Sequence, residues 1–124
     1  MVRRVDEQRT FVRGEGVGFH VLAEPDEIYD AGRLYARISL APGAALAYHR
    51  HDEEMESFYV ARGTCRMEDN GAVVHLKEGD VLITPHGQEH SIANDTDEPV
   101  ELIALIISRK QGVPGCSVFK EEAK

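Results

Sequence analysis

Two histidines and a glutamate stand at a spacing that suits a metal site. His49 and His51 are separated by one residue, and Glu56 follows five positions later. In a β-strand, residues i and i+2 lie on the same face, so both imidazoles are expected on one side. Residues 52–55 provide a turn, and Glu56 then begins the returning strand beside them. Two neutral imidazoles and a carboxylate form a donor set that suits a divalent first-row metal.

A second group of residues follows after a short interval. Gly79 is followed by Pro85-His86-Gly87, then by His90 and Asn94. Pro85 and Gly87 favour a sharp turn between two strands, from which His90 can enter the same site as a fourth ligand. The predicted site holds one divalent transition metal per chain, and Mn, Fe, Co, Ni, Cu and Zn all remain open.

The spacing of these residues resembles the two motifs of the cupin superfamily, G(X)5HXH(X)4E(X)6G and G(X)5PXG(X)2H(X)3N. Every fixed position is met within residues 43–94, and the flanking segments are similar to those of small bacterial single-domain cupins. The resemblance implies an all-β, double-stranded β-helix (jelly-roll) barrel of the RmlC-like type. It also implies a homodimer, and metal ligation by His49, His51, Glu56 and His90.

Short β-forming segments alternate with turn residues along the chain. This pattern is typical of an all-β sandwich or barrel, with strands predicted at residues 33–40, 56–61, 64–68, 72–76, 80–84 and 100–107. Asn70-Gly71 predicts a tight hairpin, because this pair readily takes the two positive φ angles of a type I′ turn. We expect one domain over residues 1–124, with an N-terminal arm at 1–32 and a C-terminal tail at 109–124.

The wall around the predicted metal is expected to be small or apolar. If His49 faces inward, strict alternation brings Ala45 and Ala47 inward, and Glu56 likewise brings Phe58 and Val60. No dedicated general base is evident near the site. The metal would then have to supply Lewis acidity, or bind dioxygen or a substrate oxygen directly.

Candidate ligand contacts flank this wall. Residues 33–38 alternate polar and apolar side chains, so Tyr35 and Arg37 either face solvent or a dimer partner, or lie at the pocket mouth to hold a carboxylate or hydroxyl. Phe58 is a further candidate. His86 and Gln88, in the turn before His90, are candidates for the pocket rim, although a turn histidine is more commonly solvated.

One segment predicts a partner subunit. In residues 101–107, ELIALII, apolar side chains occupy both the odd and the even positions, so both faces of this strand should be covered. The inner face belongs to the barrel core. The outer face must then meet either the N-terminal segment or a second copy of the chain, which favours a homodimer.

Bulk properties exclude several classes of protein. The chain has 124 residues, 42% of them hydrophobic, and a formal net charge of −8. This acidity argues against nucleic acid and anionic membranes as partners. Cys65 and Cys116 lack metal or redox spacing, so two free thiols are favoured over one disulfide. No secretory signal follows the first residues, and we expect a cytoplasmic protein.

Function is less determined than fold, because one fold supports many chemistries. Cupins include dioxygenases, decarboxylases, sugar isomerases, lyases and domains that only bind a ligand. The sequence favours a mononuclear metal-dependent cupin acting on a small polar organic molecule, an organic acid or a sugar derivative, by oxygenase- or decarboxylase-like chemistry. The alternatives are a non-catalytic metal- or sugar-binding or regulatory module, and an isomerase-like cupin.

Overall fold

The alternating segments of the sequence form β-strands in the computed structural model. The structure describes residues 1–50 and 52–109, and for residues 47–50 it describes the backbone alone. Within these residues there are ten strands: β1 Thr10–Val12, β2 Val17–Val21, β3 Leu34–Leu40, β4 Ala45–Arg50, β5 Glu54–Arg62, β6 Cys65–Asp69, β7 Ala72–Leu76, β8 Val81–Thr84, β9 Glu89–Ala93 and β10 Val100–Ser108. Single 3₁₀ turns lie at Val5–Glu7 and Pro25–Ile28.

The strands form two antiparallel sheets. One has six strands in the order β1-β2-β3-β10-β5-β8, and the other has four in the order β4-β9-β6-β7. Consecutive strands repeatedly cross from one sheet to the other, as β3, β4 and β5 do. This is the jelly-roll, double-stranded β-helix arrangement, and the predicted fold class is confirmed.

The core lies between the two sheets. Inward residues alternate with half-exposed ones along each central strand, for example Val100, Leu102, Ala104 and Ile106 of β10. The six-stranded sheet contributes Ile38, Leu40, Phe58 and Val60, and the four-stranded sheet contributes Cys65, Met67 and Ile92. Each such large apolar side chain contributes roughly 1.5–3 kcal/mol on burial, so the barrel needs no disulfide staple.

The predicted hairpin is present between β6 and β7. Asn70 and Gly71 form its two-residue loop, with φ angles of 50° and 91°. Both angles are positive, as a type I′ turn requires. The turn fixes the pairing of Asp69 with Ala72, and therefore which residues of β6 face the core.

The N-terminal arm contains structure that the sequence pattern did not indicate. Residues 1–32 include β1 and β2, which extend the larger sheet beyond β3. These strands lie beside β3 and not across the outer face of β10. Ile103, Leu105 and Ile107 on that face are accordingly only half-buried.

No helix among the described residues is both long enough and apolar enough to cross a bilayer.

Candidate metal and ligand site

Glu56 and His90 meet between the two sheets. Glu56 lies on β5 of the larger sheet and His90 on β9 of the smaller one, and both are buried. The Oε1 atom of Glu56 is 2.9 Å from Nε2 of His90. A buried carboxylate is costly unless it is paired or bound to a metal, so this juxtaposition is more than ordinary core packing.

The ring of Phe58 packs against the His90 imidazole. The ring centroids are 5.3 Å apart and the planes meet at 77°, an edge-to-face contact. Phe58 is fully buried in the core cluster and does not line the cavity described below. This packing restricts the orientation of the His90 ring, and the ligand contact proposed for Phe58 stays a prediction.

The backbone places His49 directly opposite His90. The β4–β9 pairing aligns Leu46 with Ile92 and His49 with His90, so β4 contains one extra residue between these pairs. Residues directly opposite in an antiparallel pair share a face of the sheet. His49 and His90 therefore occupy the same row. The side chain of His49 and all of His51 lie outside the described part of the structure.

The extra residue in β4 corrects the predicted inward alternation. Ala45 was expected to face inward with His49, but it is exposed, while Leu46 lines the cavity. A β-bulge shifts the alternation of inward and outward residues by one position. The inward positions of β4 before the bulge therefore cannot be found by counting every second residue back from His49. Residue 47, the other predicted wall residue, lies in the stretch whose side chains are not described.

Two further polar side chains face this pair. Thr84 is opposite Glu56 across β5 and β8, and Asp69 is opposite His90 across β6 and β9. The Thr84 Oγ1 and Asp69 Oδ1 atoms are buried and have no hydrogen-bond partner among the described residues. Such atoms are rare in native proteins and commonly mark a place for bound water, an ion or a ligand. No three His, Cys, Asp or Glu side chains come together in a metal-holding group among the side chains that the structure describes, so Glu56 and His90 are the two predicted ligands that it brings together.

A cavity of about 580 Å³ opens next to Glu56. This volume is in the range of small-molecule sites. One side of the cavity is apolar, formed by Phe11, Phe19, Val21, Ile38, Leu46 and Ile106. Glu56 belongs both to the lining of this cavity and to the buried pair, so the cavity adjoins that pair.

Strand β1 and the residues directly before and after it line the cavity, which the sequence analysis does not predict. Arg9, Phe11 and Arg13 all line the cavity, and their period-two spacing puts them on one side of the strand. The Phe11 ring stacks on Phe19 with centroids 4.8 Å apart. The guanidinium groups of Arg9 and Arg13 lie 5.4 and 5.5 Å from the Phe11 centroid. The alternation of residues 9–13 is the available signal, whereas the sequence analysis predicts only an N-terminal arm over residues 1–32.

The arginines that line the cavity differ in their partners. Arg9 makes two hydrogen bonds of 3.0 Å to the Glu24 carboxylate, and this bonding lowers the pKa of Glu24. Arg33 bonds Glu54 at 2.8 and 3.0 Å. Arg13 has no carboxylate within ion-pair distance among residues 1–50 and 52–109. It therefore provides the uncompensated positive charge of the cavity wall.

The remaining predicted contacts divide between the cavity and the surface. Tyr35 borders the cavity and is 36% exposed. Arg37 lies on the outer face of the larger sheet, where its Nη1 is 2.7 Å from Glu101, and it does not line the cavity. His86 is exposed and Gln88 half-buried, and neither lines the cavity. Of the two positions predicted for Arg37, the structure places it on the face that meets solvent or a partner, and not at the cavity mouth.

Comparison with known proteins gives a consistent family assignment. The family profile of the cupin domain matches residues 36–106. An oxalate-binding protein of Thermotoga maritima is 37% identical over 95 residues, which is 77% of this chain and 78% of that protein. A crystal structure from T. maritima, described as a predicted oxalate decarboxylase, superposes with a TM-score of 0.80 at 33% identity. That alignment covers 87% of this chain and 99% of the other. A sugar phosphate isomerase of Silicibacter pomeroyi, at 20% identity and a TM-score of 0.74, shares the fold alone and covers 86% of this chain and 75% of its own.

Proposed function

Because this chain belongs to the cupin family, we propose that it is a mononuclear metal-dependent protein that binds a small organic acid and acts on it by decarboxylase- or oxygenase-like chemistry. The observation that carries the proposal is the buried Glu56–His90 pair, 2.9 Å apart, of which Glu56 lines a cavity of about 580 Å³. The name of the oxalate-binding relative supports an organic acid as the ligand.

In this proposal, Glu56 and His90 hold one divalent transition metal together with His49 and His51. Three imidazoles and one carboxylate suit Mn, Fe, Co, Ni, Cu or Zn. A metal bound there would supply Lewis acidity toward a carboxylate oxygen. The chain itself contributes the rest: Phe58 fixes the His90 ring, and the apolar wall formed by Ile38, Leu46 and Ile106 limits water around the bound acid.

The metal assignment is tested by elemental analysis of untagged protein alongside Glu56→Gln. The wild type should contain about one equivalent of a transition metal after reconstitution, and the variant should lose most of it, because an amide is a weaker ligand than a carboxylate. Glu15→Gln is the matched control, since Glu15 is exposed and does not line the cavity. Stoichiometric metal retained in a folded Glu56→Gln protein would refute the ligand role.

The reaction is tested with oxalate and metal-loaded protein. Formation of formate and carbon dioxide indicates decarboxylation, since oxalate plus one proton gives these two products. Consumption of dioxygen with release of hydrogen peroxide and carbon dioxide indicates oxidation. Calorimetric binding without turnover supports the alternative of a non-catalytic binding module, which the name of the relative also favours. If the protein neither binds oxalate nor converts it, oxalate is excluded as the acid.

We also propose that the protein is a homodimer formed through the outer face of the larger sheet. Strand pairing aligns Ile103 with Tyr59 and Val81, and Leu105 with Ser57 and Ile83, in two adjacent rows. Val81 and Ile83 are 50% and 60% exposed. The charges at the edge of this patch, Arg37 and Glu101, neutralise each other. A two-fold axis would therefore bring apolar rows together without like-charge repulsion.

A further inference from the structure

We propose that Arg13 is a specificity-determining residue that binds the anionic group of the ligand, and that the ligand is a carboxylate with an apolar, ring-sized body. The inference rests on the proposed function, since it assigns a ligand class to the same cavity. The inference goes beyond the proposed function in two ways. It predicts a ligand with an apolar body, which oxalate lacks, and it assigns a role to Arg13, which lies outside both sequence motifs.

The first step of the argument is the distribution of charge. The protein is acidic overall, with a formal charge of −8, which disfavours anions in general. The cavity is nevertheless lined by Arg9, Arg13 and Arg33. Glu24 neutralises Arg9 and Glu54 neutralises Arg33, which leaves the Arg13 guanidinium to attract an anion.

The second step is the preorganisation of that guanidinium. Arg13 follows Phe11 by two residues on the same side of β1, and its guanidinium carbon lies 5.5 Å from the Phe11 ring centroid. Its backbone N–H donates to the Val17 carbonyl at 3.0 Å, which fixes the end of the strand. An arginine resting on an aromatic face has less side-chain freedom to lose when it binds a carboxylate through its planar fork.

The third step is the size and lining of the cavity. A volume of about 580 Å³ far exceeds what a two-carbon dianion needs. The stacked rings of Phe11 and Phe19 provide an aromatic surface beside Arg13. A ligand whose carboxylate meets Arg13 can therefore lay an apolar body on these rings and direct a second polar group toward Glu56.

The test uses phenylpyruvate as the probe. Its methyl ester, which has a similar shape but no charge, is the control compound. Binding is measured by calorimetry with both metal-free and metal-loaded protein. The wild type should bind the acid about tenfold more tightly than the ester, because the ester lacks the negative charge that the Arg13 guanidinium would bind. In metal-free protein, Arg13→Gln should reduce this ratio nearly to one. Arg13→Lys should keep part of it, since charge remains without the planar fork.

Two controls separate this effect from general charge and from misfolding. Arg62→Gln removes an exposed arginine six residues along β5 from Glu56, at a distance of about 20 Å, and should leave the ratio unchanged. Phe11→Leu keeps an apolar side chain but removes the ring. It should lower the preference for phenylpyruvate over 4-methyl-2-oxopentanoate while Arg13 remains in place. Thermal unfolding of each variant verifies that it is folded.

The outcomes distinguish this inference from the proposed function. An acid-to-ester ratio that Arg13→Gln leaves intact would overturn the inference, and so would a wild type that binds neither probe. A ratio that depends on Arg13 in metal-free protein supports the inference even if no metal is found at Glu56. Metal occupancy in Arg13→Gln should equal that of the wild type, because Arg13 is not a ligand.

Discussion

Asn94, the last residue of the second motif, is a buried amide that joins its own loop to the end of β3. Its Nδ2 donates to the Leu40 carbonyl at 3.0 Å and to the Glu98 carbonyl at 2.8 Å. Its Oδ1 accepts from the backbone N–H and the hydroxyl of Thr96 at 3.0 and 2.7 Å. The sequence identifies Asn94 only as a position of the motif. In the structure, its hydrogen bonds hold the loop after β9 against the end of β3.

Replacing Asn94 with Ala should lower the free energy of unfolding by about 2–4 kcal/mol. The variant loses several hydrogen bonds and leaves buried backbone groups without partners. Urea unfolding measures the change, and Asp97→Ala, at an exposed position of the same loop, serves as the control. A loss below about 0.5 kcal/mol would contradict the assigned role.

Cys65 gives the stability of the fold a pH dependence on the alkaline side. The residue lies in the core without a disulfide partner among the described residues, and burial, with a smaller contribution from Asp95, raises the pKa of its thiol from 9.0 to about 11. The unfolded chain ionises first as the pH rises. The stability contributed by the neutral thiol is therefore complete below pH 9 and decreases between pH 9 and 11. Cys116, which the sequence predicts to be a second free thiol, lies outside the described residues.

This dependence is measured as the difference in free energy of unfolding between the wild type and Cys65→Ala, near pH 8 and again near pH 10.5. Taking the difference cancels the titration of tyrosines and lysines common to both proteins. We expect the advantage of the wild type to shrink at the higher pH. A difference that does not change with pH would contradict the assigned shift in pKa.

At the scale of single elements, most strands were predictable because their cause is local. The segment at residues 72–76 agrees with β7, and the other predicted strands agree with β3, β5, β6, β8 and β10 within two residues at each end. Alternation of apolar residues and the turn pair Asn70-Gly71 act within a few residues of the chain, so the sequence carries them directly.

Other elements depend on contacts that the sequence does not display. Strands β1 and β2 form because β3 offers an edge to pair with, and their own apolar pattern is short. The bulge in β4 arises from its pairing with β9, and strict alternation could not reveal it. The convergence of Glu56 and His90 followed from motif spacing, whereas Arg9 and Arg13 could join the cavity only once β1 was known.

The β6–β7 hairpin is a sensitive position at this scale. Gly71 has a φ of 91°, and Gly71→Ala should lower the free energy of unfolding by about 1–2 kcal/mol because a β-carbon disfavours this conformation. Asn70→Gly preserves the turn geometry and should change it by less than about 0.5 kcal/mol. Chemical denaturation compares the two, and equal effects would contradict a type I′ turn.

At the scale of the whole molecule, the two sheets present different outer surfaces. Val81 on the larger sheet and Val73 on the smaller one are both 50% exposed. Only Val81 belongs to the apolar rows with Tyr59 and Ile103. These two valines therefore form a matched pair for testing the proposed dimer.

Val81→Lys should convert the dimer to a monomer at micromolar concentration, because a buried unpaired charge would lie in the interface. Val73→Lys should leave the dimer intact. Light scattering coupled to gel filtration measures the mass of each protein. A monomeric wild type, or equal behaviour of the two variants, would contradict the proposed interface.

The position of β1 has a consequence for how long a ligand stays bound. This strand has three residues and pairs with β2 alone, so it can detach at a lower free energy than global unfolding requires. The residues proposed to select the ligand therefore lie at an edge strand that is paired on one side only. We expect the lifetime of a complex to depend on how often β1 unpairs. A ligand held by Arg13 would lengthen that lifetime by fastening the strand to the sheet.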